Sequence, residues 1–238
     1  MTEALIVAHG SPADPAPQEA ALADLAQAVA RLLPGWRIRG TTLAAPGALE
    51  AALAGMAAPL VHPFFMAEGF FTRTLLPRRL AAAGAGHLAR LPCFGQAAGL
   101  DRLCARVALA AAADPRRTTL ILAAHGSGRG GALARASADG ARAMAARIAH
   151  LAPFGRVLTG FVEEEPFLWR LARAPGRAPA VCLPFFALRA GHVAADVPQA
   201  LSAAGFSGTL LPAIGEHPEV PGLIAAALLS ARPTARPR

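Results

Sequence analysis

The sequence predicts an α/β protein of two doubly wound parallel-sheet lobes that arose by internal duplication and face each other across a cleft. Short apolar segments typical of buried parallel strands alternate with Ala- and Leu-rich segments of helical spacing along the whole chain. In addition, several sequence landmarks recur once, about 116 to 121 residues further on. A (β/α)8 barrel is the alternative, because eight strand–helix pairs in 238 residues would also suit it.

Eight strands and eight helices are expected in alternation. Each strand is a short, continuous apolar run, and each helix is an Ala-, Leu- and Arg-rich segment between two such runs. The strands are expected near residues 4–8, 36–43, 59–65, 87–91, 118–124, 155–162, 178–186 and 208–211. The helices are expected near residues 17–33, 48–56, 73–83, 100–112, 133–151, 166–172, 194–203 and 220–229. In either architecture, active residues belong beyond the carboxyl ends of the strands.

Four landmarks define the internal repeat. They are LIVAHGS at 5–11 with LILAAHGS at 120–127, LVHPFF at 60–65 with VCLPFF at 181–186, Pro77 with Pro198, and LPCFG at 91–95 with LPAIG at 211–215. Since the offset stays near 116 to 121 residues over all four, the halves are interpreted as copies of one unit of four strands. The predicted division is residues 1–114 for the first lobe, 115–231 for the second, and 232–238 for a basic tail.

Composition excludes several classes of protein. Apolar residues make up 54% of the chain and charged residues only 16%, which excludes disorder. The positive mean hydropathy of +0.41 comes from alanine, and no run of about 18 strongly apolar residues could span a membrane. Because the start contains Glu3 and only a short apolar run, no secretory signal is indicated and a cytoplasmic protein is expected. The three cysteines form no CxxC pair and are expected to be core residues.

The charge balance favours an anionic small molecule as the partner. The net charge is +8, and the basic side chains are all arginine. They are scattered along the chain without interleaved aromatic residues, so nucleic-acid binding is not expected. A small molecule with several negative charges is compatible with this balance.

Three histidines are candidates for chemistry. His9 and His125 each end a predicted strand and precede a glycine, where the backbone opens toward a crevice. His192 lies in the loop after the strand near 178–186. The alternative for His9 and His125 is a buried imidazole bonded to a nearby carbonyl. Aligned at an offset of about 121, the first copy has Phe71 opposite His192.

The segment FVEEEPFL, residues 161–168, places three consecutive carboxylates at the end of a strand. The matching first-half segment, TTLAAPGAL at 41–49, has no acid before its proline. The first copy therefore lacks both the second histidine and the acids, as expected of a degenerate site. Two imidazoles and a carboxylate from neighbouring strand ends are suited to an open site for a divalent first-row metal, and the same groups accept protons.

Four motifs each follow a predicted strand: AHGS at 124–127, FVEEEP at 161–166, LPFFALRAGHVAADVP at 183–198 and LPAIGEHPEV at 211–220. Together they resemble the sirohydrochlorin chelatase family, whose members insert cobalt or iron into a tetrapyrrole and are similar in fold to the ferrochelatases. The resemblance extends over nearly the whole chain in duplicated form. It implies an enzyme that inserts Co²⁺ into sirohydrochlorin in cobalamin biosynthesis, with Fe²⁺ insertion giving siroheme as the alternative. The metal is then a substrate, and no permanently bound cofactor is expected.

The resemblance also implies roles for individual residues. His125 and His192 would bind the metal and accept protons, and Glu163 would relay protons, with Glu165 as the alternative for that role. Because the family substrate has eight carboxylates, arginines beside the histidines are candidates for binding it. The candidate substrate-binding residues are Ser127, Arg129, Arg189 and His9. Since the duplication supplies both lobes, a monomer is expected.

Two other functions have some support in the sequence. The glycines Gly126, Gly128 and Gly131 formally match a dinucleotide fingerprint, but the first copy keeps only the His-Gly-Ser and lacks the later glycines. No acid follows about 20 residues after Gly131. A protein that carries a metal or a tetrapyrrole without turnover would use the same cleft, and only an assay of turnover separates it from a chelatase.

Overall fold

The computed structural model describes residues 1–126, 132–188 and 195–231, without the side chains of residues 132–134. The described residues form seven strands, all paired in parallel. The strands are β1 (Thr2–Ala8), β2 (Trp36–Thr42), β3 (Leu60–Pro63), β4 (Thr119–Ala124), β5 (Arg156–Phe161), β6 (Ala180–Pro184) and β7 (Thr209–Leu210). They form one sheet of order β2-β1-β3 and another of order β5-β4-β6-β7. The two-lobed α/β prediction is confirmed, and the barrel alternative is wrong.

Eight α-helices connect the strands within the described residues. They are α1 (Ala16–Leu32), α2 (Ala48–Leu53), α3 (Leu76–Ala82), α4 (Leu100–Ala110), α5 (Ala132–Leu151), α6 (Leu168–Leu171), α7 (Val197–Ala203) and α8 (Val220–Ser230). A π-helical turn, Phe71–Leu75, leads directly into α3. None of the described helices is long and apolar enough to cross a membrane.

The predicted strand at residues 87–91 does not form. Only Arg90 pairs with Val61, as an isolated bridge beside β3. Leu91 still donates its backbone N–H to the Val61 carbonyl at 2.9 Å, but Pro92 follows and has no N–H to continue a ladder. The prediction of a fourth strand in the first lobe is therefore wrong.

Both halves repeat the same backbone hydrogen bonds at the carboxyl end of their sheets. In the first lobe the Gly95 N–H donates to the Phe65 carbonyl at 2.9 Å, and in the second Gly215 donates to Phe186 at 3.0 Å. At both glycines a Cβ would overlap the backbone of the preceding strand's loop, so these close approaches require glycine. The repeat found in the sequence is thus a repeat of backbone geometry.

The inner faces of both sheets contribute to one apolar core. Ile6 and Phe64 of the first lobe belong to the same buried cluster as Leu122 and Leu183 of the second. The last helix of each half packs onto the other half: α4 contacts β6 and α5, and α8 contacts β3 and α1. The division at residue 114 remains a prediction, and the principal apolar contacts cross it.

The three cysteines are buried, as predicted. Burial raises the pKa of Cys93 to about 11 and the pKa values of Cys104 and Cys182 to about 12. These thiols therefore remain protonated near neutral pH and act as small core side chains.

A histidine is buried in the first sheet where the second has an apolar residue. His62 pairs with Ile6 across β3 and β1 and is only 1% exposed, and its Nδ1 has no hydrogen-bond partner among the described residues. Burial lowers its pKa from 6.5 to about 4. By the repeat, its counterpart is Leu183, which pairs with Leu122 on β4. The first lobe thus keeps a neutral imidazole in an apolar position.

We expect the His62→Leu variant to lose less stability in acid than the wild-type protein. Between about pH 6.5 and pH 4 the unfolded chain binds a proton at this imidazole and the native chain does not, so native stability falls as the pH falls. With its pKa lowered to about 4, His62 reduces the free energy of unfolding by about 2 kcal/mol between pH 7 and pH 4.5. Urea unfolding at both pH values measures it, with the exposed His150→Leu as the control. An equal loss of unfolding free energy in wild type and His62→Leu would contradict its assignment to His62.

Candidate functional site

Each lobe places a His-Gly pair directly after its central strand. Gly10 follows His9 with φ of 77°, and Gly126 follows His125 with φ of 75°, so both are in the left-handed region that favours glycine. A Cβ on Gly10 would lie 2.6 Å from the Thr42 side chain. Glycine therefore lets the chain turn closely past the neighbouring strand and leaves the preceding histidine at the strand end.

His125 lies beside an acid and has a defined orientation. Its Nδ1 lies 3.1 Å from the Gly126 carbonyl oxygen and 3.7 Å from the Glu163 Oε2. Its side chain is 39% exposed, and that of Glu163 is 42% exposed. When Nδ1 bears the proton and donates to Gly126, the lone pair is on Nε2, which is the form that binds a metal. The pair is therefore chemically suited to hold a cation and to accept protons.

The three glutamates after β5 have three different environments. The Glu163 N–H donates to the His125 carbonyl at 3.1 Å, which fixes the two residues side by side. Glu165 points elsewhere: its Oε1 accepts from Arg170 at 2.8 Å, and its Oε2 accepts from the Phe167 N–H at 3.3 Å. Of the two acids considered for the proton relay, the geometry places only Glu163 beside His125.

Glu164 was not predicted from the sequence to have a part in the site. Its Cγ lies 2.9 Å, and its Oε1 3.1 Å, from the place where a Cβ on Gly126 would be. The Oε1 atom is buried and has no hydrogen-bond partner among the described residues. Glu164 thus packs against the turn that orients His125. The only sequence signal was its position in the run of acids, which does not distinguish its direction from that of its neighbours.

His9 lies near His125 but has different surroundings. Its ring packs against that of Phe71 in a tilted arrangement, with centroids 3.9 Å apart and an angle of 36° between the planes. Burial lowers the pKa of His9, and the nearby His125 lowers it further. Its Nδ1 is buried and has no hydrogen-bond partner among the described residues. The alternative interpretation of His9, a buried imidazole bonded to a nearby carbonyl, therefore does not hold for Nδ1.

The first lobe has alanine where the second has Glu163. The Leu43 N–H donates to the Ala8 carbonyl at 2.9 Å, and the Val162 N–H donates to the Ala124 carbonyl at 3.0 Å, so Leu43 and Val162 are equivalent. The next residues are Ala44 and Glu163. The first lobe therefore combines one histidine with a phenyl ring and a methyl group.

Four predicted site residues lie outside the described residues. They are His192, Ser127, Arg129 and Arg189. Their roles in binding metal or substrate remain predictions. Within the described part of the chain, no group of three or more His, Cys, Asp or Glu side chains could hold a metal ion.

Comparisons with known proteins agree with this geometry. The sequence model of the CbiX family matches residues 119–231. A comparison with curated proteins found no match. Among solved structures, the chain is similar to a CbiX described as the terminal enzyme for biosynthesis of siroheme in denitrifying bacteria, with 47% identity and a TM-score of 0.85. That alignment covers 98% of this chain and 100% of the other.

More distant structures show the same fold. SirB from Bacillus subtilis, solved with Fe³⁺, has 15% identity and a TM-score of 0.73, over 97% of this chain and 95% of its own. DR2241 from Deinococcus radiodurans, a multi-domain protein with structural similarity to chelatases, has 22% identity and a TM-score of 0.71. That match covers 99% of this chain and 56% of DR2241. With 47% identity over a whole relative and the geometry above, the chain belongs to the CbiX family.

Proposed function

We propose that the protein inserts a divalent first-row metal ion into sirohydrochlorin. The observation that supports this most is the pairing of His125 with Glu163 at 3.7 Å beyond the carboxyl ends of two adjacent parallel strands. This pairing occurs in a chain that is 47% identical to a CbiX described as the terminal enzyme of siroheme biosynthesis. An imidazole and a carboxylate side by side provide both functions that metal insertion requires.

The reaction replaces two pyrrole protons of the tetrapyrrole with one metal ion, so the site must deliver the ion and remove the protons. His125 holds the metal through Nε2, since its Nδ1 is directed to the Gly126 carbonyl. Glu163, partly exposed beside it, accepts the two pyrrole protons one after the other and passes each to solvent. We assign His192 as the second imidazole that binds the metal, as the family resemblance implies.

The donor set suits both Co²⁺ and Fe²⁺, because imidazole and carboxylate bind both ions and availability often decides between them. The sequence resemblance gave Co²⁺ as the first candidate. The relative described as an enzyme of siroheme biosynthesis favours Fe²⁺ instead, since siroheme contains iron. We therefore keep both ions as candidates and place Fe²⁺ first.

The substrate side of the proposal rests on charge. The net charge of +8 and the arginine-rich composition favour a polycarboxylate tetrapyrrole. Ser127, Arg129 and Arg189 are proposed to bind its carboxylates, and His9 is proposed to contact the ring from the first lobe. We also propose a monomer, because one chain provides both lobes.

Insertion is tested by mixing sirohydrochlorin, the protein and Fe²⁺, Co²⁺ or Ni²⁺ and following the absorption spectrum over time. A chelatase converts many equivalents of tetrapyrrole, and the initial rates rank the three metals. A carrier protein changes the spectrum only up to one equivalent. That stoichiometric result with all three ions would replace the proposed enzyme with a binding protein.

We expect Glu163→Gln to lower kcat for insertion by about 100-fold, with a small change in KM. The amide keeps the size of the side chain but accepts no proton, and a positioned acid or base typically contributes that much. Glu165→Gln is the matched control, since Glu165 binds Arg170. We expect its kcat to stay near the wild-type value. An equal loss in both variants would assign the effect to the loop rather than to proton transfer.

A further inference from the structure

A cavity of about 450 Å³ lies at the edge of the first sheet, and neither His125 nor Glu163 lines it. Pro63, the last residue of β3, and Arg90, which forms the bridge beside β3, both line it. Its volume lies in the range of small-molecule sites. The π-helical turn that contains Phe71 contributes Thr72 and Arg73 to its wall.

Of the two arginines that line this cavity, one has no acidic partner among the described residues. Arg73 donates from its Nε to the Glu68 carboxylate at 2.7 Å, so these two charges compensate each other. Arg90 is exposed, and its side chain has no acidic or hydrogen-bonding partner among the described residues. The cavity therefore carries a net positive charge and has one arginine available for a carboxylate.

The apolar wall of the cavity is repeated in the second half of the chain. Pro63, Pro77, Leu91 and Pro92 correspond to the residues Pro184, Pro198, Leu211 and Pro212. The shared backbone hydrogen bonds at Leu91 and Leu211, to Val61 and Cys182, support this alignment. The proline-rich frame is thus a common property of the repeated unit.

The chemically active positions of the cavity are not repeated. Glu68, Thr72, Arg73 and Arg90 correspond to Arg189, Val193, Ala194 and Leu210. The first-copy segment that corresponds to the His192 segment has Phe71 in place of the histidine. It also has the Glu68–Arg73 ion pair and Thr72, which the second copy lacks. Arginine also replaces leucine at the sheet edge. These changes converge on one cavity.

We propose that this cavity binds a carboxylate-bearing small molecule, with Arg90 pairing the carboxylate and the prolines and Leu91 contacting its apolar part. Two sources provide this chemistry. One is a peripheral carboxylate of the tetrapyrrole, and only this source rests on the proposed function. The other is a free carboxylic acid that occupies the first lobe while the second performs the reaction.

The test is calorimetric titration of the full-length protein with tricarballylate and, separately, with metal-free sirohydrochlorin. Arg90→Leu copies the residue of the second half. We expect it to weaken the binding of one or both probes by about tenfold or more, a loss typical of a charge-assisted pair. Glu68→Gln removes the negative charge and is expected to tighten the same ligand severalfold. Arg78→Leu, an exposed arginine outside the cavity, is the matched control and should bind like wild type.

Opposite signs for the Arg90 and Glu68 variants distinguish a charged binding site from a structural effect, and thermal unfolding of each variant reports the fold. If Arg90→Leu weakens the binding of tricarballylate alone, the natural ligand is a free carboxylic acid. If it weakens the binding of sirohydrochlorin, the ligand is the tetrapyrrole. Neither readout needs turnover, so failure to insert metal would leave this test intact. Absence of binding by both probes, or equal affinities in Arg90→Leu and Arg78→Leu, would overturn the proposal.

Discussion

Replacement of His125 by alanine is expected to lower kcat for metal insertion at least about 100-fold while the protein stays folded. The side chain is 39% exposed at the end of β4, so its removal leaves the buried core intact. What is lost is the Nε2 lone pair and the imidazole beside Glu163. The initial rate of the absorption change measures kcat, and circular dichroism with thermal unfolding measures the fold. A rate near that of wild type would remove His125 from the mechanism.

The matched control for this variant is His9→Ala in the other copy. His9 packs against Phe71 in a lobe that has Ala44 where the second lobe has Glu163, so its imidazole has no acid at that position. We expect kcat to stay near wild type, with KM raised if His9 contacts the ring of the substrate. Since His125 is close enough to lower the pKa of His9, a comparable loss of kcat in both variants would mean a site shared between the lobes.

The periodicity of apolar residues predicted most of the fold because the central strands β1, β4 and β6 are buried along nearly their whole length. The strand predicted near 4–8 is Thr2–Ala8, and the one near 118–124 is Thr119–Ala124. The prediction failed at 87–91, where the residue after the run is a proline. The crossing of α4 and α8 to the opposite lobes was not predictable, because an apolar helix face does not identify the surface that it contacts.

The candidate site was predictable in part for a similar reason. His125 and Glu163 follow strands that are adjacent in a parallel sheet, so their sequence positions alone bring them to one edge. The different directions of the next two glutamates depend on the loop: Glu164 packs against Gly126, and Glu165 turns to Arg170. The contact between the rings of His9 and Phe71 also depends on tertiary packing, which an alignment of the two copies does not contain.

Replacement of His192 by phenylalanine is expected to abolish metal insertion, because it copies into the second lobe the residue that the first lobe already has at the matching position, Phe71. One imidazole rarely outcompetes water for a divalent ion, so the remaining His125 would hold the metal too weakly for turnover. The rate of insertion under saturating metal is the measurement, and His150→Phe, an exposed histidine, is the control. We expect metal-free sirohydrochlorin to bind His192→Phe as it binds wild type, since the change removes a metal ligand rather than a carboxylate contact. Insertion at a normal rate in this variant would show that a phenyl ring suffices at this position, and the degeneracy of the first lobe would then have to be attributed to Ala44.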